Sequence, residues 1–342
     1  MSKPGPLLAA VGSIVLAVSA FAAEPQAWEF QNGRWIQATT QAASTQPVTD
    51  ATLDWAEDLL SRGQYKPARG VLIRWLKTHQ QHPLRDRALY LVAEAHFQKG
   101  DRVRAFYYLD ELMDKYPDSA LHYRALDKQY QIADAYLRGF KRKFLGFRII
   151  GAQEEAIEML YRVQQRSPGS PVAEKALLRT ADYYYATSQF DLAGDAYAAY
   201  ARSYPRSPVL PKVRLREAFC SLARFRGLRY DSTPLLDARA QLVDIVGVYP
   251  ELAEEENLPT VLTRIDSSFA RKIYQTADFY RRTHDLKSAA YHYRFLIKSF
   301  PNSPEAQRAE RDLSQLPQRA LDVPEPGAAA GYGNAPTTQE AR

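Results

Sequence analysis

The chain has 342 residues, 46% of them hydrophobic, and its 45 Lys and Arg against 39 Asp and Glu give a formal net charge of +6. That is core enough for one elongated repeat domain or two compact ones, and the mild basicity is no nucleic-acid signature. Cys220 is the only cysteine, which excludes an internal disulfide and leaves a small buried hydrophobe on a helix as its expected state.

Residues 1–22 read as a secretory signal. Lys3 gives a positive start, Leu7 to Val18 an apolar run, and Ala20-Phe21-Ala22 a small-x-small cleavage site. The run is too short for a comfortable membrane span. The mature chain is expected to begin near Ala23, which mass spectrometry of the native protein checks. Residues 23–38 predict a β-hairpin. Asn32-Gly33 suits a two-residue type I′ turn, and in that register Phe30 faces Trp35. Residues 39–49, rich in Thr, Gln, Ala and Ser, read as a flexible linker, after which Thr49 or Asp50 caps the first long helix.

Three times two alanines and a proline then stand twelve residues apart: Ala93, Ala105, Pro117; Ala181, Ala193, Pro205; Ala277, Ala289, Pro301. Ala56 and Ala68 share the spacing. This is the signature of the tetratricopeptide repeat, a helical hairpin of about 34 residues. The small residues let helices A and B approach, and the proline ends helix B because it has no N–H to donate. The spacing predicts an all-α fold over residues 50–316, a right-handed superhelix of such hairpins preceded by the small β-hairpin. Units end near Pro83, Pro117, Pro168, Pro205, Pro250 and Pro301, with an insertion in the third and a long fifth. At the junctions Ser119, Ser170, Ser207 and Ser303 are placed to cap the next helix, and Pro171, Pro208 and Pro304 fit its first position. A last helix from Pro304 to about Leu316 covers the end of the stack. Residues 317–342, rich in Pro, Gly, Ala and Thr, read as a disordered tail.

Tyr-Pro-x-Ser-Pro junctions between tyrosine-rich helical pairs, behind a signal, resemble the BamD-like family of outer-membrane assembly lipoproteins. The resemblance spans roughly 50–301, and the stretch Tyr136 to Gly146 is similar to the extended third repeat of some members. It implies a non-enzymatic scaffold serving β-barrel assembly, with barrel-assembly subunits or unfolded barrel precursors as partners. The family's signal ends in a lipobox cysteine, whereas Ser19-Ala20-Phe21-Ala22-Ala23 has none.

One residue after the small alanine of helix A is acidic in five units: Glu57, Glu94, Asp134, Asp182 and Asp278. Arg87, Lys175 and Arg271 stand seven residues before three of them, with Tyr90, Leu178 and Tyr274 between. Together with Phe97, Tyr130 and Tyr185, these residues predict a concave groove that binds a protein or extended peptide. The alternative is that acids of one unit pair with bases of the next and align the stack. Arg138, Lys141, Arg142, Lys143 and Arg148 form a basic segment interleaved with aromatics. It reads either as a surface for anionic lipid or a carboxylate, or as an extended helix with one solvated and one packed face.

The six histidines show no converging ligand set, and no glycine-rich phosphate loop or nucleophile elbow occurs. The expectation is therefore an exported, periplasmic protein-binding scaffold, peripheral at the outer membrane if attached at all, with no cofactor, metal or nucleic-acid partner. A scaffold for cell-wall or Tol–Pal-type machinery, or an accessory subunit of an envelope enzyme, are the alternatives.

Overall fold

The computed structural model describes residues 28–31, 34–37, 50–140, 142–144, 147–150, 152–227 and 230–325. The signal, the linker, the turn Asn32-Gly33, Lys141 and the tail beyond 325 lie outside them. Two units divide between Val48 and Thr49. In the first, β1 (Trp28–Gln31) and β2 (Arg34–Gln37) pair antiparallel with Phe30 opposite Trp35, the register a two-residue connection dictates.

Asp50 opens the second unit. Its carboxylate accepts from the amides of Thr52 and Leu53 at 2.8 and 3.1 Å, capping α1 (Ala51–Ser61), and from Trp75 Nε1 at 3.1 Å. Trp75 belongs to α2 (Tyr65–Thr78), so one side chain starts helix A and ties it to helix B. The same hairpin recurs as α3 (Arg85–Gln98) with α4 (Arg102–Lys115), and as α5 (His122–Leu137) with a more distant partner described below.

Between α5 and its partner lies the insertion: β3 (Arg142–Phe144) and β4 (Phe147–Ile150), paired antiparallel, before α6 (Gln153–Arg166). This corrects the reading of the basic segment as an extended helix. Gly139 takes φ +93°, which an L side chain rarely adopts, and ends α5. Beyond it Phe144, Phe147, Ile149 and Ile150 are residue types that favour strands.

The fourth hairpin is α7 (Pro171–Ala186) with α8 (Phe190–Ser203), and the fifth is α9 (Leu210–Arg224) with α10 (Thr233–Val248). A short α11 (Pro250–Glu255) leads into the long α12 (Leu258–Arg282), which pairs with α13 (Leu286–Ser299). Next, α14 (Pro304–Ser314) packs on both α12 and α13. The chain then continues as α15 (Gln318–Leu321), whose Ala320 is buried. Arg294 of α13 donates to the carbonyls of Leu321 and Val323 at 2.8 and 3.1 Å, so these residues are fixed to the solenoid where the sequence suggested the start of a tail.

Each pair of alanines at the twelve-residue spacing is fully buried: Ala56 and Ala68, Ala93 and Ala105, Ala181 and Ala193, Ala277 and Ala289. Ser170 and Ser303 cap α7 and α14, accepting from Ala173 and Ala306 at 3.1 Å, with Pro171 and Pro304 in the first turn. Ser119 and Ser207 act earlier. They accept from Leu121 at 3.1 Å and Val209 at 3.4 Å, closing turns before α5 and α9 begin. The expectation for Pro208 also fails, because Pro211 takes the first turn of α9. A helix started at Pro208 would place Pro211 fourth, where the first helical N–H is required.

Gly194 lies within α8, and a β-carbon there would meet the Cys220 β-carbon at 3.6 Å, an ordinary contact. Gly194→Ala is expected to stabilise the protein by about 0.5–1 kcal/mol, because alanine has less backbone freedom to lose. A raised urea midpoint checks this. Cys220 itself is buried, and burial pushes its thiol up to about 11, as suits a core residue.

Candidate functional site

The acids that follow the helix A alanines do not stand free. Glu57 on α1 is held by Arg87 on α3, which also reaches Asp54 at 2.9 Å. Glu94 on α3 takes Lys128 on α5 at 2.9 Å. Asp134 on α5 takes Arg179 on α7 at 2.6 Å, and Arg138 of its own helix at 2.6 Å. Asp182 on α7 is held by Arg216 on α9 and accepts from the Tyr197 hydroxyl at 2.7 Å. Thus, four times in succession, a helix A acid receives a base from the next helix A. The Glu57 hydrogen bond, with Asp54 behind it, raises the Arg87 pKa above its ordinary value.

The last rung differs. Asp278 on α12 turns to Arg281 and Arg282 of its own helix, at 2.6 and 3.0 Å. Arg271 and Tyr274 instead bind the closing helix α14. Arg271 lies 3.8 Å from Glu305, and the Tyr274 hydroxyl donates to Asp312 at 2.7 Å. Burial first, then Asp312, pushes the Tyr274 phenol up to about 12. Lys175 is exposed on α7.

The aromatics of this face sit under its cations. Arg124 lies over the Tyr90 ring at 5.3 Å, and Lys128 over Phe97 at 4.6 Å. Tyr130 is half-buried on α5, and Tyr185 meets the Phe190 and Tyr197 rings edge-on. Of the basic segment, Arg138 is engaged by Asp134, while Arg142, Lys143 and Arg148 lie on β3 and β4. Lys128 and Arg179 are members of this face that sequence reasoning missed. The fixed seven-residue offset concealed them, for an arginine can reach the same carboxylate from several turns. Lys128, six before Asp134, and Arg179, three before Asp182, were the available signal.

His96 on α3 is buried, stacks on Tyr108 with ring centroids 5.5 Å apart, and lies 3.5 Å from Asp101. Burial holds its pKa below the ordinary 6.5, against the opposing pull of Asp101. Below pH 6.5 the unfolded chain therefore binds a proton that the folded chain excludes. Its contribution is intact above that pH and declines as pH falls through it. His122 and His292 are shifted the same way by burial. His96→Phe is expected to flatten the loss of stability between pH 7 and 5, measured by urea unfolding at several pH values.

Among the described residues no group of three His, Cys, Asp or Glu is placed to hold a metal ion. His79 and His82 pack on the Trp75 ring instead, at 4.6 and 5.0 Å. No described helix is long and apolar enough to cross a membrane.

Stacked helical hairpins with buried alanines at their seams and charge pairs along helix A define a tetratricopeptide-repeat solenoid. Residues 87–119 match the tetratricopeptide repeat family. Residues 150–319 match the outer membrane lipoprotein family YfiO, so the similarity to BamD-like proteins is borne out over that stretch. These families are in general non-catalytic scaffolds that bind proteins. No curated protein matches the chain. Among solved structures, a thermophilic TPR protein of Thermus thermophilus is 19% identical, with 63% of this chain and 96% of that one covered and a TM-score of 0.27. The C-terminal part of a TPR repeat-containing protein from Cytophaga hutchinsonii is 12% identical, with 75% and 98% covered and a TM-score of 0.31. At such scores neither carries an argument, and the fold class rests on the repeats themselves.

Proposed function

We propose that the chain is an exported scaffold of the cell envelope that binds proteins during outer-membrane β-barrel assembly, and that it carries no catalysis of its own. The match of residues 150–319 to the outer membrane lipoprotein family is the observation that supports this reading most. In this account residues 1–22 are removed, the helical repeats form the binding domain, and the mature chain works in the periplasm. Four of the ladder acids are engaged by the next helix A and Asp278 by its own helix, so binding on the helix A face is assigned to the half-buried Tyr90, Phe97, Tyr130 and Tyr185 and to the exposed Lys175.

Affinity purification of the tagged protein from the envelope tests the reading. Barrel-assembly subunits are expected among the co-purified proteins. Cell-wall or Tol–Pal-type components in their place would overturn it. Attachment to the membrane runs through such partners or through the basic segment, whose contact with anionic headgroups is worth about 1 kcal/mol per basic residue and is screened by salt. The protein is therefore expected to leave membranes without detergent.

A further inference from the structure

Four aromatic rings stand in a row across the last hairpin. Phe279 meets Tyr280 on α12, Tyr280 stacks on His292 of α13, and His292 meets Tyr291, with ring centroids 5.7, 5.3 and 5.6 Å apart. Tyr280 and His292 are half-buried, while Phe279 and Tyr291 at the two ends are 53% and 36% exposed. The row thus crosses from one helix to the other and offers an aromatic surface at each end.

The chain itself arrives beside this row. Composition reads residues 317–342 as one tail, yet its first part is seated on α13. Ala320 is buried, and Arg294 holds the carbonyls of Leu321 and Val323 at 2.8 and 3.1 Å. Tyr291 lies one turn before Arg294 on the same helix face, about 4.5 Å along the axis. The described chain stops at Glu325, just past that anchor, and residues 326–342 follow it. Tyr332 is nine positions beyond Val323. A chain of that length spans at most about 30 Å extended, and about 15–18 Å as a random coil, so the ring row is within its reach.

The residues that follow suit an aromatic surface. Residues 326–339 carry no charge, so no ion has to be desolvated against the rings. Tyr332 is the one aromatic among them, and Gly331 and Gly333 on either side let the backbone lie close to a surface. Pro326 and Pro336 restrict the segment and lower the entropy lost on docking. Attachment at Val323 also holds the segment at a local concentration in the millimolar range, which favours it over a separate partner of equal affinity.

We propose that residues 326–342 fold back on the last hairpin and seat Tyr332 on this ring row, so that the chain covers its own exposed aromatic face. The inference does not depend on which proteins the scaffold binds.

Chymotrypsin reports the docking without a label, because its hydrophobic slot takes Tyr332 only when that side chain is off the surface. The full chain is digested briefly, and mass spectrometry follows the release of residues 333–342. A synthetic peptide of residues 324–342 sets the undocked rate. Cleavage after Tyr332 in the full chain is expected to be at least about tenfold slower than in the peptide, since the rate tracks the population of the open form. Phe279→Ala combined with Tyr291→Ala is expected to bring the rate to within about twofold of the peptide. Tyr291→Phe keeps the ring and is expected to keep the protection. Tyr107→Ala, at an exposed position of α4, is expected to leave it unchanged. Cuts within residues 50–325, read in the same spectra, show that each variant remains folded, and the comparison of full chain with peptide needs no substitution at all.

Cleavage of the full chain at the peptide's rate would overturn the proposal. So would protection that survives in the double variant, since the segment then lies elsewhere, or protection that Tyr107→Ala removes equally. Protection that grows with protein concentration would overturn it as well, since that places the tail of a second copy on the rings.

Discussion

Leucine in place of Ala181 is expected to lower the unfolding free energy by about 1–3 kcal/mol. Ala181 on α7 and Ala193 on α8 are both fully buried, in one cluster with Tyr197, Tyr200 and Cys220. The helices approach at that point because neither residue extends past its β-carbon. Three further carbons have no empty volume to enter, so the hairpin must open or its tyrosines must leave their rotamers. The Tyr200 hydroxyl, held by Glu174 at 2.5 Å and Ser207 at 2.8 Å, resists the second course. Ala186→Leu is the control, at an exposed position of the same helix, with an expected change within about 0.5 kcal/mol. Urea unfolding of the two variants beside the parent protein checks the pair.

Removal of the Asp134 carboxylate is expected to cost about 2–3 kcal/mol, somewhat below the range for a wholly buried pair. Asp134 is only 8% exposed and serves Arg179 and Arg138 together. Asp134→Ala leaves the Arg179 guanidinium, itself largely covered, without its partner. Glu57 makes the same kind of bond to Arg87, but its side chain is 56% exposed. Solvent and salt screen that pair, so Glu57→Ala is expected to cost only about 0–1 kcal/mol. The two variants thus form a graded series along one ladder, and 1 M salt should shrink the smaller effect further.

Local sequence carried the repeats because their determinants are local. A proline with no N–H ends a helix wherever it stands, and an alanine at a close crossing is required by the crossing itself. The serine caps were legible for the same reason at Ser170 and Ser303. At Ser207 a competing local demand, that of Pro211, prevailed. The charges of Arg138 to Arg148 suit a solvated helix face as well as a hairpin, whereas Gly139, whose left-handed backbone ends α5, marks the change to β3–β4. The ladder was half legible. Its acids follow a fixed landmark, but its bases are long side chains whose reach depends on how neighbouring units are stacked.

The central claim is that the helix A acids hold successive units in register. A double-mutant cycle on Glu94 and Lys128 tests it most directly. These residues are thirty-four positions apart, on α3 and α5, and their side chains meet at 2.9 Å while 20% and 16% exposed. Urea unfolding of Glu94→Ala, Lys128→Ala and the double variant is predicted to give a coupling of about 1 kcal/mol, most of it lost in high salt. A coupling of zero, with each single variant as stable as the parent, would contradict the account and return the acids to the solvent.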